Sequence, residues 1–268
     1  MKGRVLIIAG SDSGGGAGIE ADIKTVTALG GYAMTATTAL TAQDTRGVHG
    51  VLPTEPAFVA RQMALVLDDL GADAAKSGML VNDAMINAVA EVLAAKMPRL
   101  PLVVDPVMVA TGGGRLLAED AVAALGRRLF PLATLVTPNI PEAETLSGAR
   151  IESREAMAEG ARMLLALGCR AVLLKGGHLA GSSVVDLLVS AEGSRAFEYP
   201  RLETRNTHGT GCTLASAIAT GLAQGLSLAD AVARARAYLQ EAIRTAPGFG
   251  HGRGPLNHAH TVRPFDGN

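Results

Sequence analysis

The sequence predicts one α/β domain over residues 1–268, with a mostly parallel sheet covered by helices on both faces and a small antiparallel hairpin. Three observations point there. Strand-like apolar runs alternate with helical stretches from end to end, and no linker, repeat or low-complexity tract divides them. The core must be built from Ala, Val and Leu, because hydrophobic residues make up 48% of the chain and aromatic residues only 3%, with no Trp; such a composition suits helices laid on a parallel sheet. Glycine or polar residues also recur just after the strands, at the edge where open α/β sheets take ligands.

Charge and cysteine content narrow the function classes. Lys+Arg number 24 against Asp+Glu 25, and no basic stripe interleaved with aromatics favours a nucleic-acid partner. Cys169 and Cys212 offer no disulfide framework and fit a reducing compartment. The start Met1-Lys2-Gly3-Arg4 shows no signal-peptide pattern, and no apolar run reaches membrane-spanning length. The expectation is a cytoplasmic protein with no nucleic-acid or membrane partner.

Arg4 to Ala9 (RVLIIA) is a continuous apolar run ended by Gly10, as a buried parallel strand should be. A glycine-rich segment, Ser11 to Gly18, then leads into a helix from about Ile19 to Leu29. Its spacing fits neither a dinucleotide fingerprint nor a P-loop, so it marks a ligand loop without naming the ligand. Ala33 to Ala42 is small and β-branched, and predicts one strand ending at Gln43. The Gln43 amide either reads a ligand edge or satisfies loop backbone.

Pro56 to Leu70 predicts a helix, Asp73 to Ser77 a short strand before Gly78-Met79, and Asn82 caps a helix to about Ala95. Leu102-Val103-Val104 delivers Asp105 to a strand's carboxyl end, where a carboxylate can reach a metal-bound water or can cap a loop. Val109 to Arg115 (VATGGGR) reads as a lid. After Leu135-Val136-Thr137, Asn139 and Glu142 are three apart across a strand-to-helix junction, and the residues alone favour an N-cap with its capping-box acid.

Glu152 to Leu167 predicts a helix, and Ala171 to Leu174 a strand ending in Lys175-Gly176-Gly177-His178. A lysine beside two glycines at that edge suits phosphate. Val184 to Val189 and Ala196 to Tyr199 predict a hairpin. A last helix runs from about Leu228 to Thr245, and residues 251–268 read as a partly irregular tail. The tail histidines lack acidic or cysteine companions, so zinc is not expected there and His260 is assigned to a disordered end.

Asn206 to Cys212 (NTHGTGC) is the stretch around which the rest is arranged. It feeds an alanine-rich helix, whose first N–H groups lack partners and carry about half a positive charge. Gly209 and Gly211 should let backbone approach a ligand, making an anion cradle for a phosphoryl group. The same field is expected to lower the Cys212 thiol pKa. The competing reading is an ordinary helix cap with Cys212 as packing.

The segments AGSDSGGGAGIEADIKT, TALTAQDTRGV, KSGML, VVDPVM, TPNIPEAE, LLKGGH and NTHGTGCTLASAIA, with the GHGRGPLNH tail, together resemble the bacterial hydroxymethylpyrimidine/phosphomethylpyrimidine kinases of thiamin synthesis, in the ribokinase-like superfamily. The resemblance runs in order from about Val5 to His258. It implies a three-layer α/β/α kinase using ATP and Mg²⁺ to phosphorylate a pyrimidine alcohol and then its monophosphate. By position it implies an anion hole at Gly209, Thr210, Gly211 and Cys212, with Cys212 the base and Lys175 neutralising ATP phosphates. Asp105, Asn139 and Glu142 would hold Mg²⁺ partly through water, which reverses the capping preference. Gly10, Asp22, Gln43, Met79 and Val107 would line the pyrimidine site, and Thr207 and Asn139 would lie near ATP. Relatives of this kind are often dimers, so a homodimer is expected. Two alternatives stay open: a pyridoxal or pyridoxine kinase, disfavoured by Ala110 where some of those carry a lid cysteine, and a sensor that keeps the pocket without the chemistry.

Overall fold

The computed structural model describes residues 1–109, 113–114, 116–118, 120–263 and 265–267. Among the described residues ten strands and eight α-helices follow in chain order: β1 Arg4–Ala9, α1 Gly18–Ala28, β2 Tyr32–Thr37, β3 Ala39–Gln43, β4 Val48–Pro53, α2 Pro56–Asp69, β5 Ala74–Ser77, α3 Asp83–Lys96 and β6 Leu102–Val104. A short α4, Val122–Ala124, continues as a π-turn and a 3-10 turn to Leu132. Then come β7 Leu135–Val136, α5 Ile140–Ser147, α6 Arg154–Leu165, β8 Ala171–Leu174, β9 Ser183–Ser190, β10 Gly193–Pro200, α7 Thr210–Ala223 and α8 Leu228–Arg244.

Eight strands form one sheet in the order β10-β9-β8-β7-β6-β5-β1-β2, parallel from β8 to β2, with β9 and β10 added antiparallel. The two-residue period of a strand divides the core in two. Leu6 and Ile8 pack on the face covered by α2 to α6, while Val5, Ile7 and Ala9 pack on the face covered by α1, α7 and α8. β6, β7 and β8 split the same way. This is the three-layer α/β/α arrangement expected. Chain order reverses between β1 and β5, so a crevice opens beyond their carboxyl ends.

The single strand expected over Ala33 to Ala42 is two. At Thr38 the chain leaves the main sheet: the Thr38 hydroxyl donates to Met79 O at 2.6 Å, and Ser11 N takes Ala39 O at 2.8 Å. β3 then pairs antiparallel with β4, a strand the pattern did not announce. The helical stretch before β7 was likewise unannounced. The tail is anchored, not loose. His258 is buried with Nε2 2.9 Å from Thr213 Oγ1, Tyr238 Oη donates to His258 O, and His260 Nε2 lies 3.1 Å from Tyr238 O. His260 therefore does not belong to a disordered end; it stacks on the Tyr238 ring.

Candidate active site

The strand ends enclose a hollow of about 710 Å³, bordered by Gly10, Gln43, Met79, Asp105, Val107, Asn139, Glu142, Lys175, Thr207 and the turn Gly209 to Cys212. Each of these residues was singled out from sequence, and one hollow brings them together. Asp22 is the exception. It is fully buried beneath α7, donating nothing to the hollow, with Oδ2 2.7 Å from Lys76 Nζ and Oδ1 accepting from Ser216 Oγ at 2.7 Å. A carboxylate so enclosed cannot line the pyrimidine site as expected; it supports the helix above it. Gly78 also lies outside the hollow, against Lys76. Val109 and Gly113 border the hollow, whereas Ala110, Thr111, Gly112 and Arg115 of the expected lid lie outside the described residues.

The charged part of the hollow starts from Lys175, whose Nζ is 3.0 Å from Asp105 Oδ1 and 4.0 Å from Glu142 Oε2. Burial opposes the charge on Lys175, but Asp105 and Glu142 outweigh it and raise its pKa. Two carboxylates share that one ammonium. Burial, with Asp105 adding repulsion, pushes the Glu142 carboxyl up to about 7. Asn139 and Glu142 form a full capping box on α5: Asn139 Oδ1 accepts from Glu142 N and Glu142 Oε2 from Asn139 N. The capping role is thus real, and it fixes the carboxylate's position.

Oxygen donors short of positive charge fit a hard divalent cation. No cluster of three or more His, Cys, Asp or Glu capable of caging a metal occurs among the described residues. One or two carboxylates suffice for a hard divalent cation whose other positions are taken by water and substrate phosphates.

Opposite Lys175 stands the start of α7. Gly209, its N-cap, has φ +81, and a side chain there would collide with the carbonyl of Gly16. Its positive φ is of the kind that only glycine adopts readily, as expected, and the Gly16 carbonyl adds a second reason from the N-terminal loop. Gly211 is the ligand-facing one: a Cβ would lie 3.3 Å from both Asp105 Oδ2 and Lys175 Nζ. No side chain caps α7, so the N–H groups of Gly211 and Cys212 remain for an anion.

Cys212 corrects another expectation. Loss of water in the hollow pushes its thiol up to about 11, with Asp22 and Asp105 adding to this; Lys76 and the Gly18 N–H oppose it and do not prevail. Desolvation in a site with neighbouring carboxylates disfavours the thiolate.

Sequence reasoning missed several polar groups. Lys76 is fully buried in β5, all four of whose residues are buried; a lone lysine in a short apolar strand was the available signal. Asp12 and His208 are buried with Oδ2 and Nε2 2.8 Å apart, joining the N-terminal loop to the anion turn. At the far end of the hollow, Asp186 accepts from Gly176 N and faces Arg236, whose guanidinium lies over the Tyr199 ring. A single acid inside the apolar strand Ser183–Ser190 was its only trace.

A doubly wound sheet whose crevice carries an uncapped helix turn, a lysine and two carboxylates defines a small-molecule kinase. The chain belongs to the phosphomethylpyrimidine kinase family, whose family model matches residues 12–257. It is 56% identical over 257 residues to the "Thiamine biosynthesis bifunctional protein ThiED" of Geobacter sulfurreducens, covering 96% of this chain and 52% of that one. The chain thus spans about half the length of that relative. It is 49% identical over 263 residues to a hydroxymethylpyrimidine/phosphomethylpyrimidine kinase of Rhizobium meliloti, covering 97% of this chain and 98% of the other. Among solved structures it is similar to the Staphylococcus aureus pyridoxal kinase in complex with AMP-PCP and pyridoxal, with TM-score 0.90 and 34% identity over 98% of this chain and 96% of that one.

Proposed function

We propose that the protein transfers the γ-phosphoryl group of ATP to the hydroxyl of 4-amino-5-hydroxymethyl-2-methylpyrimidine, then to the resulting monophosphate, giving the diphosphate used in thiamin synthesis. The observation that carries this reading is the facing of Gly211 by Lys175 Nζ and Asp105 Oδ2, each 3.3 Å from where a Cβ would stand. The N–H groups of the turn, the ammonium and the carboxylate thus meet at one end of the hollow.

Phosphoryl transfer passes through a loose transition state with charge spread over equatorial oxygens, so electrostatic placement dominates. In this reading the N–H groups of Gly211 and Cys212 and the Lys175 ammonium receive that charge, with Gly209 and Thr210 shaping the turn. Asp105 and Glu142 would hold Mg²⁺, Asn139 keeping Glu142 in place; the ion supplies neutralisation of the ATP phosphates. Lys175, Thr207 and Asn139 are assigned to the nucleotide side. Gly10, Gln43, Met79 and Val107 are assigned to the pyrimidine side, with Asp22 acting from below. Cys212 takes the hydroxyl proton in its thiolate form as the new O–P bond forms, and the Lys76 ammonium beneath favours that form. The second transfer has an ionised phosphate oxygen as nucleophile and needs no base.

A homodimer is part of the proposal. Leu40 and Leu52, paired across β3 and β4, and Phe58 and Leu65 on α2 are all more than half exposed, and exposed apolar side chains of this size favour a protein partner. Native mass measurement tests it. Two free cysteines fit a cytoplasmic setting, and no helix among the described residues is long and apolar enough to cross a membrane.

The deciding experiment incubates the protein with ATP and Mg²⁺ and either the pyrimidine alcohol or pyridoxal, and identifies products. Monophosphate followed by diphosphate of the pyrimidine is expected. Phosphorylation of pyridoxal alone would favour the vitamin-kinase alternative, and absence of ATP consumption the sensor.

A further inference from the structure

We infer that His208, held by Asp12, is a positioning residue for substrate specificity: it fixes which end of the Gln43 side-chain amide faces the hollow. The inference rests on the reading of Gln43 as a substrate residue. As placed, Gln43 Nε2 lies 3.0 Å from His208 Nε2 and Gln43 Oε1 lies 3.4 Å from Thr41 Oγ1; the hydrogen-bond capacities of the neighbours require the amide turned end for end. The two termini are nearly isosteric, so hydrogen-bond capacity decides their order.

His208 Nε2 is 2.8 Å from Asp12 Oδ2, an oxygen that also accepts from Gly16 N and Ala17 N, while Oδ1 accepts from Gly14 N. Burial opposes ionisation of Asp12, but these hydrogen bonds, His208 foremost, outweigh it and hold its pKa below the usual range. An ionised carboxylate only accepts, so His208 Nε2 carries a proton directed at Asp12. A nitrogen in that state has no lone pair for Gln43. The amide terminus beside it is therefore the oxygen.

Thr41 leads independently to the same order. Its hydroxyl proton is donated to Ser11 O at 2.8 Å, leaving Thr41 only a lone pair to offer. The terminus beside it is therefore the NH₂, whose second N–H is left for the hollow that both Thr41 and Gln43 border. Gln43 thus meets a substrate as a donor and selects a ring with an unprotonated nitrogen or another acceptor at that edge. Each element of the device lies on a different segment: Asp12 on the N-terminal loop, Gln43 on β3 and His208 beside the anion turn.

Two measurements on the full chain test this. Long-range ¹⁵N–¹H NMR of the labelled protein should show His208 protonated at Nε2; an Nδ1–H tautomer with bare Nε2 overturns the inference. In kinetics, the pyrimidine alcohol is compared with analogues in which one or the other ring nitrogen is C–H. One analogue should show a KM raised roughly tenfold or more in the wild-type protein, because an unmatched polar group is left behind. His208→Phe should shrink that ratio to about twofold, as should Gln43→Ala, with no further loss in the double variant. A merely structural role would weaken both ligands alike and leave the ratio unchanged, which overturns the inference. If the wild-type protein does not phosphorylate the pyrimidine alcohol at all, the proposed function fails, and the NMR measurement still decides the state of His208.

Discussion

Lys76 Nζ and Asp22 Oδ2 lie 2.7 Å apart with both side chains fully shielded from solvent, beneath the turn that carries Cys212. Burial works against the Lys76 charge, but Asp22, with Asp105 adding to it, outweighs that and keeps the ammonium protonated. Removing one partner strands the other charge in the core. Lys76→Met should therefore cost about 3–5 kcal/mol in urea denaturation, and Lys76→Met with Asp22→Leu clearly less. A double-variant loss equal to the sum of the Lys76→Met and Asp22→Leu losses would show that the pair is not coupled.

Cys212 with its thiol pushed up to about 11 is mostly protonated at neutral pH. If the thiolate takes the hydroxyl proton, kcat for the alcohol should rise about tenfold per pH unit between about pH 8 and 10. Cys212→Ala should lower it about 10²-fold with ATP KM little changed. The second transfer should show neither effect. A flat alcohol profile leaves Cys212 with a spatial role only.

The two loop glycines of the anion turn should separate in substitution. Gly209→Ala demands a side chain at φ +81 against the Gly16 carbonyl, so it should unfold the protein or lower its melting temperature steeply. Gly211→Ala fills only the space before Asp105 and Lys175, so it should melt near wild type and lose about 10²-fold in kcat for both transfers. Circular dichroism melts with steady-state kinetics distinguish them.

Stability against pH should reflect two opposed groups. Glu142, raised to about 7 from an unfolded value near 4.5, keeps its proton while the unfolded chain loses it. Its contribution is full below pH 4.5 and is lost as pH rises through 7. Burial lowers His258 to about 4 from near 6.5, so the unfolded chain binds the proton first and stability is lost as pH falls below 6.5. Between pH 4.5 and 6.5 the two slopes oppose. Glu142→Gln should expose a stability that rises with pH, and His258→Gln one that falls, each by on the order of 1–3 kcal/mol in denaturant titrations.

Much of the scaffold was legible because local chemistry repeats it. RVLIIA and AVLL read as buried strands and are β1 and β8; Asn82 accepts from Met85 N as a cap should. The convergence of Asp105, Glu142, Lys175 and Gly211 followed from the rule that such sheets work at their carboxyl edge. The break at Thr38 did not show, since a hydroxyl's long-range bond to Met79 O is invisible in a β-branched run. Asp12, His208 and Lys76 were passed over because a lone titratable residue carries no period, and its partner lies far away in sequence.

The amino-acid order by itself determined the layers, the family motifs and which residues arrive at the rim, because periodicity, turn chemistry and strand ends act over a few neighbours. Only the tertiary structure decided how those residues are charged and aimed. Asp22 went under the hollow, the Cys212 thiol rose where a fall was expected, and Gly209 answered to Gly16. Desolvation and close approach depend on what packs alongside from distant segments, and no short window of sequence contains that information.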